Sequence, residues 1–322
     1  MILSARHFPI LVTGAGGLLG RALGRRLQAL VAQTPPSGLV AQMPSSGQPH
    51  SRGRLCHGAL RLTDLAELDV TDGRAVAAAV RDLAPRTVFH LAAWTDVDGA
   101  EAHPAEARRV NAEAAELVAR AAAGVGALTV YISTDFVFDG AKPGLYVEED
   151  AANPQSVYGR TKYEGEVRVR AAAPPSHLVV RTAWLYGTGR ARNFIDVILA
   201  AARQGRPLRV VTDQVGCPTW AEDLADALVA LVEADARGTF HACGAGEASR
   251  WDMAVEALRA AGIDAPVERI TSAEMPRPAP RPARAVLSTE KLARATGFRF
   301  PPWQESVRAY VRSAECGVRN AE

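Results

Sequence analysis

Phe8-Pro9-Ile10-Leu11-Val12-Thr13-Gly14-Ala15-Gly16-Gly17-Leu18-Leu19-Gly20 is the stretch on which the reading of this chain turns. Its apolar opening is the right length for a buried strand, and from Leu18 to about Leu30 apolar residues recur at helical spacing. Between them Gly14, Gly17 and Gly20 form a G-x-x-G-x-x-G loop. Gly14 permits the tight turn, Gly17 lets backbone N–H groups approach a pyrophosphate, and Gly20 lets helix and strand pack closely. Phosphates then sit on the helix N-terminus. The pattern points to a dinucleotide site on a doubly wound parallel sheet, with an ordinary glycine turn as the competing reading.

Later segments repeat the strand–helix alternation. Ala59-Leu60-Arg61-Leu62 reads as the second strand, with Thr63-Asp64 at its end. A carboxylate there would bond an adenosine ribose 2′-OH and repel a 2′-phosphate. Leu68-Asp69-Val70-Thr71-Asp72 reads as a short strand end whose Asp69 would accept from an adenine amino group, or else as a helix cap. Thr87-Val88-Phe89-His90-Leu91 is a buried strand running into Ala92-Ala93-Trp94, small residues that let a ribose and nicotinamide lie against the backbone. His90 reads as a core histidine. A helix from Pro104 to Ala123 carries Asn111, placed to brace the nearby backbone. The strand Leu128-Thr129-Val130-Tyr131-Ile132 then ends in Ser133-Thr134-Asp135. A hydroxyl where a parallel strand leaves its sheet lies in the ligand crevice. This alternation before residue 185 predicts an α/β fold with a Rossmann-like sheet.

Tyr158 and Lys162, in Ser156-Val157-Tyr158-Gly159-Arg160-Thr161-Lys162, are four apart and share a helix face. An ammonium beside a phenol favours the phenolate, each pKa unit being worth roughly 1.4 kcal/mol. Such a phenol suits protonation of an oxyanion near neutral pH. The spacing alone also fits a solvated helix face; its convergence with the glycine loop and Thr134 at one sheet edge makes it a candidate site.

Residues 31–58 interrupt the pattern. Val31-Ala32-Gln33-Thr34-Pro35-Pro36-Ser37-Gly38 is echoed by Val40-Ala41-Gln42-Met43-Pro44-Ser45-Ser46-Gly47, a Pro/Ser/Gly-rich duplication expected to be a mobile surface insertion. Residues 1–182 are therefore read as the nucleotide-binding domain. Residues 183–322 are read as a smaller, mixed substrate-binding region that returns elements to the first. There the helices Asn193 to Gln204, Ala221 to Ala234 and Arg250 to Ala261 are expected, with strands at Leu208 to Val211 and Gly238 to His241. A helix from Glu290 to Thr296 and a tail containing Trp303 and Tyr310 close the chain. Arg190, Arg192, Arg277, Arg281 and Arg284 are candidates to clamp a diphosphate, or ordinary surface charge.

Composition excludes several classes. The 37 basic and 35 acidic residues are interspersed, giving a net charge of +2 and no clustered basic face for nucleic acid. Cys56, Cys217, Cys243 and Cys316 lack metal-ligand spacing and fit a reduced, cytoplasmic compartment. No metal is expected. The run from Phe8 to Val12 is too short for a signal peptide, and no segment approaches the ~20 apolar residues of a membrane span.

Together the motifs resemble the extended short-chain dehydrogenase/reductases and, among them, the dTDP-4-dehydrorhamnose reductases. The resemblance spans nearly the whole chain. It rests on the glycine loop, Leu68–Asp72, Leu91–Asp98, Tyr158–Lys162 and Arg181-Thr182-Ala183-Trp184. More specific are Ser133-Thr134-Asp135-Phe136-Val137-Phe138-Asp139-Gly140 and Asp213-Gln214-Val215-Gly216-Cys217-Pro218-Thr219. It implies that NADPH or NADH delivers hydride to C4 of dTDP-4-dehydro-L-rhamnose, a small-molecule substrate. Tyr158 would give the proton, Lys162 would lower the Tyr158 pKa and hold the nicotinamide ribose, and Thr134 would donate to the keto oxygen. Asp135 and Trp184 would touch the sugar. Gly14, Gly17, Leu18, Leu19, Gly20, Asp69, Val70, Ala92, Ala93 and Trp94 would line the cofactor. Phe136 stands where the family often has Tyr, and the insertion leaves NADH against NADPH open. A non-catalytic subunit of the methionine adenosyltransferase regulatory type, and an epimerase or dehydratase of nucleotide sugars, are the alternatives. The sequence admits a homodimer without requiring one.

Overall fold

In the computed structural model, which describes residues 3–33, 54–56, 60–189 and 193–319, the apolar opening forms β1 (Ile10–Thr13), buried at every position. A strand covered on both faces needs such unbroken apolarity. α1 (Leu18–Gln33), β2 (Arg54–Cys56), β3 (Leu60–Thr63), α2 (Gly73–Leu83) and β4 (Thr87–His90) follow. After them come α3 (Val97–Ala102), α4 (Pro104–Arg108), α5 (Ala114–Gly124), β5 (Leu128–Thr134), α6 (Val157–Ala172) and β6 (His177–Thr182). β1 pairs in parallel with β3 on one side and β4 on the other, and β5 and β6 extend the sheet past β4. This reversal of direction beside β1 opens a crevice above the C-terminal strand ends.

The second half contributes β7 (Leu185–Tyr186), α7 (Phe194–Arg203), β8 (Leu208–Val211), β9 (Val215–Gly216), β10 (Thr219–Trp220), α8 (Ala221–Glu233) and β11 (Gly238–His241). β12 (Ala248–Ser249), α9 (Arg250–Ala260), β13 (Val267–Ile270), α10 (Glu290–Thr296) and α11 (Trp303–Arg319) complete it. β11 pairs in parallel with β6, so the sheet runs β11-β6-β5-β4-β1-β3-β2, with only β2 antiparallel. Leu23 and Leu27 of α1 share one core with Leu224, Leu228 and Phe240. Val76, Val80 and Val118 cover the opposite sheet face. A separate core joins α7, α9 and α11 around Ile195, Met253 and Val307.

Four expectations change. α1 continues to Gln33, and Arg54–Cys56 forms an edge strand on β3, while most of the duplicated insertion lies outside the described residues. Leu68–Val70 forms no strand: Asp69 turns its carboxylate onto the backbone N–H and hydroxyl of Thr71, both at 2.8 Å, and Asp72 caps α2. The Pro104–Ala123 helix widens into a π-helical turn at Arg109–Glu113. The expected tail is a helix, with Trp303, Val307, Tyr310 and Val311 buried along one face. Among the described residues no helix is long and apolar enough to cross a membrane.

Candidate active site

The glycine loop is held by close approach. Gly14 has φ +70°, and a Cβ there would lie 2.6 Å from the Ala92 backbone nitrogen at the end of β4. A Cβ on Gly20 would lie 2.2 Å from the Gly14 carbonyl oxygen, so helix and turn pack only without side chains. Gly17 is exposed, and its nearest neighbour in that direction is 3.5 Å away, which leaves room on the crevice side. Asp64 lies against the loop: a Cβ on Gly16 would fall 2.0 Å from its Oδ2. Leu18 meets the chain at Gly189, while the Leu19 side chain is buried in the core and offers the loop only its backbone. Val70 is likewise buried beneath the sheet, whereas Asp69 is exposed beyond the β3 end.

Ala92, Ala93 and Trp94 are half-buried where β4 leaves the sheet. Asn111, within the π turn, fixes this exit. Its Oδ1 accepts from the Trp94 N–H at 2.9 Å, and its Nδ2 donates to the Trp94 carbonyl at 3.2 Å and the Thr161 hydroxyl at 3.1 Å. Tyr131 donates its hydroxyl hydrogen to the Asn111 carbonyl at 2.8 Å, within the turn where the helix widens. Such turns concentrate at functional sites.

Thr134 ends β5 and Tyr158 lies in the first turn of α6. The Ser156 hydroxyl accepts from the Gly159 N–H at 3.0 Å and caps the helix. Gly159 lets α6 close on the neighbouring turn, because a Cβ would lie 2.3 Å from the Phe136 carbonyl oxygen. Phe136 packs edge-on against the Tyr158 ring, with centroids 5.5 Å apart. Thr134 donates its hydroxyl hydrogen to Asp135 Oδ1 at 2.9 Å and accepts from the Phe136 N–H at 3.2 Å.

The electrostatics differ from expectation. Burial pushes the Tyr158 phenol up to about 12; contact with the Thr134 hydroxyl pulls it down and the Asp135 charge pushes it further up. Burial therefore decides the sign of the Tyr158 shift. The Lys162 ammonium, itself brought down to about 7 by burial, sits 4.1 Å from the centroid of the Tyr131 ring, with Glu166 restoring part of its charge. An aromatic face of β5 thus also holds the cation. Burial raises Asp135 to about 6, opposed by its Thr134 hydrogen bond and by the Arg250 guanidinium.

Trp184 follows β6 with φ +45°, and its indole fills space that only a glycine at 216 leaves open: a Cβ there would be 2.6 Å from Nε1. Arg250, the first residue of α9, stacks 3.6 Å from the Trp184 ring centroid and near Phe194. The sequence reading passes over Arg250. Its only signal is the serine cap, Ser249, that opens the helix it begins. Among the proposed clamp residues, Arg277 and Arg281 both pair with Asp98, and Arg284 pairs with Glu247. Arg190 and Arg192 lie outside the described residues. Among those described, no group of three His, Cys, Asp or Glu is placed to hold a metal ion.

A parallel sheet with a glycine loop, and a Thr–Tyr–Lys set at the same edge, define a nucleotide-binding oxidoreductase of the short-chain type. The family model described as the RmlD substrate binding domain matches residues 8–316. A dTDP-4-dehydrorhamnose reductase of Sinorhizobium fredii is 44% identical over 248 residues, covering 73% of this chain and 83% of that protein. The crystal structure of a dTDP-4-dehydrorhamnose reductase from Clostridium acetobutylicum is 37% identical and has a TM-score of 0.83, covering 95% of this chain and 99% of that one. A Bacillus anthracis reductase of the same name, solved in complex with NADP, is 30% identical with a TM-score of 0.82, covering 94% and 98%. The chain belongs to the dTDP-4-dehydrorhamnose reductase family.

Proposed function

We propose that the protein reduces the C4 keto group of dTDP-4-dehydro-L-rhamnose to give dTDP-L-rhamnose, with NADPH or NADH as hydride donor. The observation that carries this reading is the meeting of Thr134, Asp135 and Tyr158 above the sheet edge that bears the open glycine loop. The cofactor fits that edge. Gly17 leaves room for phosphates at the start of α1, and the Ala92–Trp94 backbone, fixed by Asn111, offers a flat wall for the ribose and nicotinamide. The nicotinamide supplies the hydride when bound.

The chain's own groups handle the proton and the sugar. Tyr158 keeps its phenolic hydrogen at neutral pH and gives it to the oxygen that becomes an alkoxide. Lys162 carries a partial positive charge and would hold the ribose of the bound cofactor. Trp184 supplies a flat apolar wall for the pyranose. Arg250, unlike Arg277 and Arg281, has no carboxylate within ion-pair reach among the described residues, so its guanidinium is free to take the substrate's diphosphate.

The test is loss of reduced-nicotinamide absorbance in the presence of dTDP-4-keto-6-deoxyhexoses, with Tyr158→Phe as the control variant. The wild type should oxidise NAD(P)H only when the sugar is present, and Tyr158→Phe should lower kcat by about 10²–10⁴. No turnover with any such sugar overturns the reading, and near-normal kcat in Tyr158→Phe removes the phenol from the mechanism.

A further inference from the structure

Thr134 has one hydroxyl hydrogen and two lone pairs. The hydrogen is donated to Asp135 Oδ1 at 2.9 Å, and one lone pair accepts from the Phe136 N–H at 3.2 Å. With Asp135 ionised, the Thr134 hydrogen is committed to the carboxylate, and a substrate oxygen meets only a lone pair, so Thr134 cannot donate to it. With Asp135 protonated the direction reverses. The carboxylic O–H donates to the free lone pair of Thr134, and the Thr134 hydrogen points outward.

We propose that Asp135 acts as a protonated acid behind Thr134, so that its proton decides whether that hydroxyl is donated inward to the carboxylate or outward to the sugar's keto oxygen. This rests on the reductase reading given above. Asp135 is a positioning residue in this scheme: no bond to substrate forms or breaks at it, and no proton leaves the pair. The side chain is 2% exposed, so water cannot substitute for its missing hydrogen bond. The groups that face it fit the role. Tyr158 comes from α6, the Cys243 thiol from beyond β11, and the Arg250 guanidinium from the start of α9. Of these only Arg250 favours the ionised form, and a substrate diphosphate on Arg250 would offset its charge and so promote protonation.

The experiment is the pH dependence of kcat/KM for the wild type, Asp135→Asn, Thr134→Val and the double variant. Asn gains or loses no proton in this range, so its hydrogen bond with Thr134 does not change with pH. The wild type should lose activity as pH rises through about 6, approaching about tenfold per unit, and Asp135→Asn should lack that limb. In the Thr134→Val background the Asp135→Asn exchange should change nothing, as expected if Asp135 works through the hydroxyl. Lys162 titrates in the neighbouring range, so the assignment depends on which variant removes the limb. Carbon NMR of aspartate-labelled wild type gives a readout that needs no variant to fold: one carboxyl should titrate well above the rest. A wild type that turns the ketose over with no falling limb, a limb retained in Asp135→Asn, or no high-titrating carboxyl overturns the inference alone. No turnover at any pH overturns the reductase reading, and the inference with it.

Discussion

Asp135 stores a stability cost that pH reveals. Its unperturbed value is 3.8 and burial lifts it to about 6, so across that interval the folded state holds a proton that the unfolded chain has released. Stability therefore falls as pH rises through the window, by on the order of 2–3 kcal/mol in total. Asp135→Asn has no proton to lose, so denaturant unfolding should show it gaining on the wild type between about pH 4 and pH 7. A constant difference across that range would mean the carboxyl is not held neutral. Asp64 makes a second residue-scale case: its carboxylate lies against Gly16 of the loop, the position proposed for an adenosine ribose. NADH should outperform NADPH, and Asp64→Ala should narrow the ratio of their kcat/KM values about tenfold or more, by removing a repulsion of one to two charges. An unchanged ratio would place the ribose elsewhere. The types and spacing of Thr134, Tyr158 and Lys162 were legible in the sequence, because a helix repeat fixes which residues share a face. The sign of the Tyr158 shift was not. It depends on burial and on the Asp135 charge, which are properties of the packed molecule.

At the scale of elements, β9 and the turn after β6 set the shape of the wall proposed for the sugar. Trp184 occupies a left-handed backbone conformation, its indole lies over Gly216, and Arg250 covers the ring at 3.6 Å. The indole is therefore held from both sides. Gly216→Ala places a methyl 2.6 Å from Nε1, and the ring can yield only by giving up its stack on Arg250. Overpacking of this kind costs about 1–3 kcal/mol. The variant should melt at a lower temperature and show a KM for the ketose raised about tenfold, a loss of ~1.4 kcal/mol in binding. Its affinity for reduced nicotinamide should hold, because the glycine loop lies on other elements; calorimetric titration with each ligand separates the two. An unchanged sugar KM would take the indole out of the binding wall. The strands and most helices could be read from periodicity, and the caps at Asp72, Ser156 and Asn193 lie where the residue types suggest. The π turn at Arg109–Glu113 could not. Its Asn111 carbonyl accepts from a tyrosine hydroxyl on another element, a contact that no local pattern records.

Over the whole molecule, the second half of the chain serves two cores. α8 and β11 complete the nucleotide-binding sheet, while α7, α9 and α11 enclose a core of their own, so no single cut in the sequence separates the two bodies. α11 reads as a tail in the sequence because Pro301 and Pro302 precede it; the apolar stripe begins only at Trp303. A strap crosses between the bodies. Arg277, Arg281 and the Ala279 N–H all bind Asp98 at the start of α3. The strap then passes Gly140, where a Cβ would lie 2.7 Å from the Ala283 nitrogen, and pairs with Val215 beside the sugar wall. Those partners hold the Asp98 carboxyl well below the usual carboxylate range, so the contact persists down to strongly acidic pH. Asp98→Asn keeps the shape and removes the charge, leaving the Arg281 guanidinium, 19% exposed, without its counter-ion. Partial burial puts the cost between that of an exposed pair and a buried one, about 1–3 kcal/mol. Most of it should appear as local opening rather than global unfolding. Limited proteolysis should cut first within residues 275–284, and the ketose KM should rise severalfold with kcat nearly unchanged. If instead the strap stays resistant and KM does not move, the Asp98 contact is a surface ornament and the wall beside Trp184 is held by β9 and β12 alone.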